Sequence, residues 1–333
     1  MRAAVIRRFS EPYVLEDLPI PEVPPGECLV RVRATGICRT DLKIRAGVLA
    51  ETPLPIVPGH EIAGELAEDT AGMKQGQRVA VHLFQPCGRC RWCLIGEETL
   101  CARPERVGFN RDGGLAEYVA VPSGSAFPFA DSLPFEQAAV GMDAVVSPWR
   151  ALVRRAQVRP GEIVVVVGAG GLGLSAIQIA RASGARVAAV DPIAGHREEA
   201  LRSGAEVAVE PGQAGSLMDW SSGGADVVYE GSGTRSGLDT AAGVITPGGR
   251  LICNGWAPDV EYGLAARHLV LNEISLIGSR AGAARDVRDV LRALERGQVR
   301  LPVERARLDD INQIMSRLGS GDVVGRFVVE MPA

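Results

Sequence analysis

Glu162–Asp191 reads EIVVVVGAGGLGLSAIQIARASGARVAAVD, and this stretch decides the fold. The run Glu162–Val167 (EIVVVV) shows no apolar–polar alternation, which marks a strand buried on both faces of a parallel sheet. GAGGLGLSAIQIARASG then reads as a turn and a helix that stops at Gly184. Arg186–Val190 (RVAAV) is the next strand, and Asp191 closes it. Further out, Glu198–Ser203 reads as a helix ended by Gly204. Asp226–Tyr229, Arg250–Asn254 and Ile274–Ile277 read as further buried strands. Strands alternating with helices predict an α/β, doubly wound parallel sheet of the Rossmann type.

The texture before this region is different. Pro19, Pro21, Pro24, Pro25, Pro53, Pro55 and Pro58 cut the chain into short pieces. Ala3–Ile6, Cys28–Ala34, Arg78–Leu83 and Ala116–Val121 read as strands of a small barrel or sandwich. After Gly278, Arg285–Arg296 and Asp309–Leu318 read as amphipathic helices and Arg326–Glu330 as a terminal strand. This tail is expected to return to the first domain. The predicted division is therefore 1–143 with 280–333, a discontinuous domain, and 144–279.

Gly168-Ala169-Gly170-Gly171-Leu172-Gly173 fits G-x-G-x-x-G between a buried strand and a helix, the context that dinucleotide binding requires. Gly168 permits the tight turn, Gly170 lets backbone approach a pyrophosphate, and Gly173 lets helix pack on strand. The helix N-terminus offers free N–H groups to the anion. Asp191, at a strand end, suits the adenosine ribose hydroxyls and would repel a 2′-phosphate, which favours NAD over NADP.

The chain has 333 residues, 46% hydrophobic and 23% charged, with 36 basic and 40 acidic side chains and a net charge of −4. That length suits two domains. The charge balance gives no electrostatic reason to expect nucleic acid or an anionic membrane as partner. The apolar run in Met1–Phe9 (MRAAVIRRF) is too short for a signal core, and no apolar stretch has the length of a membrane helix. A reducing cytoplasm is the expected compartment. There, clustered cysteines indicate metal rather than disulfides. Cys87, Cys90, Cys93 and Cys101 lie in CGRCRWCLIGEETLC. Four thiolates so spaced can enclose one tetrahedral zinc with no open position, a structural site.

Cys38 stands in GICRTDL and His60, followed by Glu61, in PGHE. Together with the cysteine cluster, the glycine loop and Asp191, they resemble the zinc-dependent medium-chain alcohol dehydrogenase family. The resemblance extends to GGLAEY (113–118), PGGRL (247–251) and VVGRFVV (323–329), so it covers essentially the whole chain. It implies a GroES-like β-barrel catalytic domain beside the Rossmann domain. It also implies two zinc ions per chain and NAD.

The resemblance makes Cys38 and His60 ligands of a catalytic zinc and Glu61 an intermittent ligand. The family's third ligand is usually a cysteine shortly before an Ala-Leu pair. Read back from Ala151-Leu152, that position is Asp143, an oxygen donor in place of sulfur. Thr40 falls where the family has a hydroxyl that hydrogen-bonds the substrate oxygen, and Asp41 where a carboxylate orients the histidine. Lys43 replaces a histidine that ends the proton relay in some relatives. Arg39 and Arg326 match positions that in some members touch the cofactor pyrophosphate; the alternative for both is a surface arginine. Gly255 and Trp256 fall on the nicotinamide side. The implied activity is hydride transfer between an alcohol, or its aldehyde or ketone, and NAD, in EC class 1.1.1. The implied assembly is a homodimer or homotetramer. A polyol, threonine or formaldehyde dehydrogenase shares these sites. A zinc-free reductase would lack the cysteine cluster and the Cys38–His60 pair. A non-catalytic NAD-binding protein would be expected to have lost Cys38, Thr40 or His60.

Overall fold

The computed structural model describes residues 1–49, 51–70, 72–261 and 263–332. The chain forms two compact units, Met1–Val146 with Gly282–Ala333, and Ser147–Ala281.

The first unit is built on a seven-stranded sheet. Its strands run Val303–Arg307, Arg326–Glu330, Glu27–Ile37, Glu61–Leu66, Arg78–Val81 and Ala126–Pro128, with Tyr118–Pro122 also paired to Glu27–Ile37. Glu27–Ile37 alternates between buried and half-buried residues over its first half, then is buried throughout from Ala34 to Ile37. Val30, Val32 and Ala34 face the core while Arg31 and Arg33 reach the surface, the period-two pattern of a one-sided strand. Register does the positioning. Gly36 pairs with Glu61, and Phe327 pairs with Ile37. The residues around Cys38, His60 and Arg326 are thereby tied to three adjacent strands. The tail is part of this sheet, since Arg326–Glu330 is antiparallel to Glu27–Ile37.

Asp143 comes from a different element. The α-helix Phe135–Val140 runs into a π-helical turn, Gly141–Val145, followed by Val146–Trp149. Pro148 has no N–H to return to Ala144, so the regular ladder cannot pass through it. The wider turn accommodates that missing bond, and Asp143 sits within it.

The second unit is a six-stranded parallel sheet. Its order is Val207–Val209, Arg186–Val190, Ile163–Val167, Ala225–Glu230, Ile245–Cys253 and Ser275–Gly278. The first strand in sequence is central and the order reverses beside it, which is the switch point where open α/β sheets bind ligands. Val165, Val167, Val190, Val228 and Leu251 pack in its core. The shortest and most charged strands escape the apolar-run reading, two of them at sheet edges. Val207–Val209 is three residues long, and Val303–Arg307 (VERAR) is an edge strand rich in charge. No helix among the described residues is long and apolar enough to cross a membrane.

Candidate active site and metal centres

Cys38, His60, Glu61 and Asp143 converge, each offering one donor atom within 4.8 Å of the others. Cys38 ends one strand and caps the helix Arg39–Arg45. Its N–H donates to Asp41 Oδ2 at 2.8 Å, and its sulfur accepts from Thr40 N at 3.5 Å. Cys38 Sγ lies 3.4 Å from Asp143 Oδ2, and His60 Nε2 lies 3.6 Å from the same oxygen. Cys38, His60 and Glu61 are buried, while Asp143 is half-buried. Thr40 Oγ1 sits 3.5 Å from the Cys38 sulfur.

The protonation of His60 can be deduced. Its Nδ1 is 3.2 Å from Asp41 Oδ1, and both side chains are buried. A carboxylate only accepts, so Nδ1 carries a hydrogen, and in the neutral ring Nε2 keeps its lone pair. That Nε2 has no hydrogen-bond partner among the described residues, although it is buried. An imidazole lone pair facing a thiol and a carboxylate fits a divalent metal, and sulfur, nitrogen and oxygen are all zinc donors. Burial disfavours a proton on His60. The Asp41 charge and hydrogen bond, with Asp143 and Cys38 close by, outweigh it and raise the imidazole well above its ordinary value, so a metal at Nε2 takes the place of a proton. The same negative potential favours a metal cation. Phe109 packs on the imidazole at 4.9 Å between ring centres.

Glu61 and Arg326 form a second layer of this site. Burial pushes the Glu61 carboxyl up to about 7, and the Arg326 charge pulls against it. Room for the Glu61 carboxylate comes from Gly36, where a Cβ would lie 2.0 Å from Oε2. Glu61 Oε2 has no hydrogen-bond partner among the described residues. Arg326 is no surface arginine: its guanidinium is buried in this cluster, donating to Glu61 Oε1 at 3.1 Å and to Cys38 Sγ at 3.5 Å. Sequence placed the residue on a terminal strand but could not show these protein partners. Arg39 is exposed. Lys43 is half-buried, and its desolvation lowers its pKa.

Cys87, Cys90, Cys93 and Cys101 form a second convergent set. Cys90 and Cys93 sulfurs are 3.5 Å apart, and Cys87 and Cys93 sulfurs 4.0 Å. All seven cysteines are free thiols, so these are not disulfides. Cys90 starts the one-turn helix Arg91–Leu94. Backbone N–H groups of Ala102 and Cys93 pull its thiol down to about 6, while burial and the neighbouring sulfurs push Cys93 up to about 12. Four crowded sulfurs that cannot all ionise alone are a donor set that a dication completes.

The glycine loop matches its expected physics. Gly168 has φ +89°, a left-handed conformation, and a Cβ there would lie 2.9 Å from Ser232 N. A Cβ on Gly173 would lie 1.9 Å from Gly168 O, so the helix sits directly on the turn. A Cβ on Gly170 would meet nothing within 4 Å, leaving space above the backbone. The helix Gly171–Ala182 has no side-chain cap, so its first N–H groups are available to an anion. Asp191 Oδ2 accepts from Ala169 N at 2.7 Å, and Oδ1 accepts from Ile193 N at 2.9 Å and faces His196 Nδ1 at 3.1 Å. Burial raises the Asp191 carboxyl, but His196 and these N–H groups prevail and lower it, so it stays ionised. Leu172 is half-buried and Gly171 buried. Gly255 and Trp256 follow the strand Ile245–Cys253, with Trp256 42% exposed. They interlock with a loop that sequence reasoning missed. A Cβ on Gly255 would lie 2.5 Å from Gly231 O. That loop is pinned by the buried carboxylate of Glu230, which accepts from Ser232 N at 2.8 Å and Gly233 N at 3.1 Å. Glu-Gly-Ser-Gly directly after a buried strand was the available signal.

The comparisons with known proteins agree with this geometry. Residues 24–131 match the alcohol dehydrogenase GroES-like domain, and residues 171–296 match the zinc-binding dehydrogenase domain. The chain is 35% identical to an alcohol dehydrogenase of Geobacillus stearothermophilus, over 99% of this chain and 100% of that one. It is 33% identical to an NAD-dependent alcohol dehydrogenase of Sulfurisphaera tokodaii, over 99% of each. The crystal structure of the alcohol dehydrogenase from Aeropyrum pernix superposes with a TM-score of 0.94 at 29% identity, covering 99% of this chain and 100% of that one. The chain belongs to the zinc-dependent medium-chain alcohol dehydrogenase family. It is an NAD-dependent oxidoreductase acting between alcohol and carbonyl, with zinc and NAD as cofactors.

Proposed function

We propose that Cys38, His60 and Asp143 hold the catalytic zinc and that Cys87, Cys90, Cys93 and Cys101 hold a structural one. The orphaned Nε2 of buried His60, aimed at a sulfur and a carboxylate, carries this reading. Zinc held there supplies Lewis acidity that lowers the pKa of an alcohol, and NAD accepts the hydride. Asp41 fixes the His60 tautomer and Cys38's backbone together. Thr40 accepts the alcohol proton, since its hydroxyl can both accept and donate beside the Cys38 sulfur. Arg326 holds Glu61 by one carboxylate oxygen. The Gly168–Gly173 loop receives the pyrophosphate and Asp191 the adenosine ribose, which favours NAD over NADP.

The substrate class is a small-molecule alcohol or its carbonyl. A homodimer or homotetramer through the edge strand Ser275–Gly278 is supported by the exposed Leu276 and, just before it, Leu271, 41% and 68% accessible. Seven free thiols suit a reducing cytoplasm. Initial rates on primary alcohols, secondary alcohols and polyols with NAD⁺ and NADP⁺ test the assignment, with Thr40→Ala and Thr40→Ser beside the native enzyme. Serine is expected to keep turnover and alanine to lose it. Full activity in Thr40→Ala would remove Thr40 from the proton path.

A further inference from the structure

Arg326 stands among the donors assigned to the catalytic metal. Its Nε donates to Glu61 Oε1 at 3.1 Å, and its Nη2 donates to Cys38 Sγ at 3.5 Å and lies 3.7 Å from Asp143 Oδ2. Three of the four donor residues therefore share negative charge with one guanidinium. The arrangement is built in rather than opportunistic. Arg326 is 5% exposed and Glu61 fully buried. Arg326 opens a strand whose next residue, Phe327, registers opposite Ile37, immediately before Cys38. Gly36, on the same strand as Ile37, makes the space in which Glu61 reaches it.

Two cations that draw on the same buried anions weaken each other's hold, and the low dielectric of a buried site magnifies the effect. A guanidinium cannot lose its proton to relieve the conflict. We propose that Arg326 is an internal competitor for the catalytic metal. By holding Glu61 out of the ligand set and drawing charge from Cys38 and Asp143, it sets a deliberately moderate metal affinity and leaves the bound ion more electrophilic. Arg326 is thus a positioning residue, acting on the reaction through the metal's ligands. The proposal rests on the reading of the Cys38 cluster as a metal site.

The test is metal binding by the full chain, with the Cys87 cluster as internal reference. Co²⁺ is titrated into zinc-stripped native enzyme, Arg326→Gln, Glu61→Gln and the double variant, in competition with a chromophoric chelator. Visible spectra separate a four-sulfur site from a mixed sulfur, nitrogen and oxygen site. Removing the arginine should tighten the mixed site by about tenfold or more, both in the native background and in the Glu61→Gln background. The second comparison excludes a gain due only to Glu61 becoming a ligand. It also serves if Arg326→Gln alone folds poorly. The four-sulfur site should not change. Equal or weaker Co²⁺ binding in the double variant than in Glu61→Gln, with native-like circular dichroism, overturns the proposal. A native chain that takes up only four-sulfur Co²⁺ instead overturns the underlying site assignment.

Discussion

Asp41→Asn is the most instructive single perturbation of this site. Asp41 is fully buried and accepts two hydrogen bonds, from Cys38 N at 2.8 Å and from His60 Nδ1 at 3.2 Å. Asparagine has the same shape but only one acceptor. If its oxygen stays on Cys38 N, its amide N–H group faces His60 Nδ1. The imidazole must then either leave a donor facing a donor or move its proton to Nε2. In the second case an N–H points at Cys38 and Asp143, and the lone pair that would take zinc is gone. Losing one hydrogen bond to a buried charged group costs about 1.5–3 kcal/mol. Loss of the residue that orients a metal-binding histidine weakens metal affinity by about 10–100-fold. Zinc affinity measured by chelator competition should fall by that factor at the mixed site while the four-sulfur site is unchanged. Chemical denaturation should show the stability loss. Native zinc affinity in a folded Asp41→Asn protein would refute the tautomer argument.

Further outcomes follow from the same geometry. Gly173→Ala places a Cβ 1.9 Å from Gly168 O and should destabilise the second unit by about 2–4 kcal/mol in urea unfolding. Gly170→Ala meets no protein atom within 4 Å, so it should leave stability unchanged and weaken NAD⁺ binding in a fluorescence titration. Asp191→Gly removes the ribose carboxylate and should shift the NAD/NADP ratio of kcat/KM toward NADP by about tenfold or more; an unchanged ratio would contradict the ribose role. Burial holds the His82 imidazole below its ordinary 6.5, against a hydrogen bond to Gly282 O and the charges of Glu98 and Asp286. Below pH 6.5 the unfolded chain takes up a proton that the folded chain refuses. Stability should therefore fall as pH drops below 6.5, by at most about 1.4 kcal/mol per pH unit from this group. The fall in melting temperature as pH drops through this range should be steeper for the native protein than for His82→Gln.

Legibility in the sequence depended on how local the physics was. EIVVVV followed by G-x-G-x-x-G dictates a buried strand, a tight turn and a helix from neighbouring residues alone, and those elements are where the sequence put them. The cysteine cluster is likewise local, within Cys87–Cys101. Asp143 was reached only through the family resemblance, because its approach to Cys38 spans 105 positions. The contacts of Arg326 with Glu61 and Cys38 were out of reach for the same reason, since those partners lie 265 and 288 positions away. Val303–Arg307 was missed because an edge strand needs little apolar surface. Glu230 was missed because a buried carboxylate that serves backbone N–H groups looks, in sequence, like any strand-end acid.

The central claim is that Cys38, His60 and Asp143 grip the ion that activates the substrate, apart from the four-sulfur site. Elemental zinc per chain, measured on native protein and on Cys38→Ser and Asp143→Ala after dialysis against zinc-free buffer, tests it most directly. The account predicts about two zinc ions in the native chain and about one in each variant, with turnover lost and the fold retained. A native chain that binds a single zinc, or a Cys38→Ser variant that keeps both its zinc content and its turnover, would contradict it.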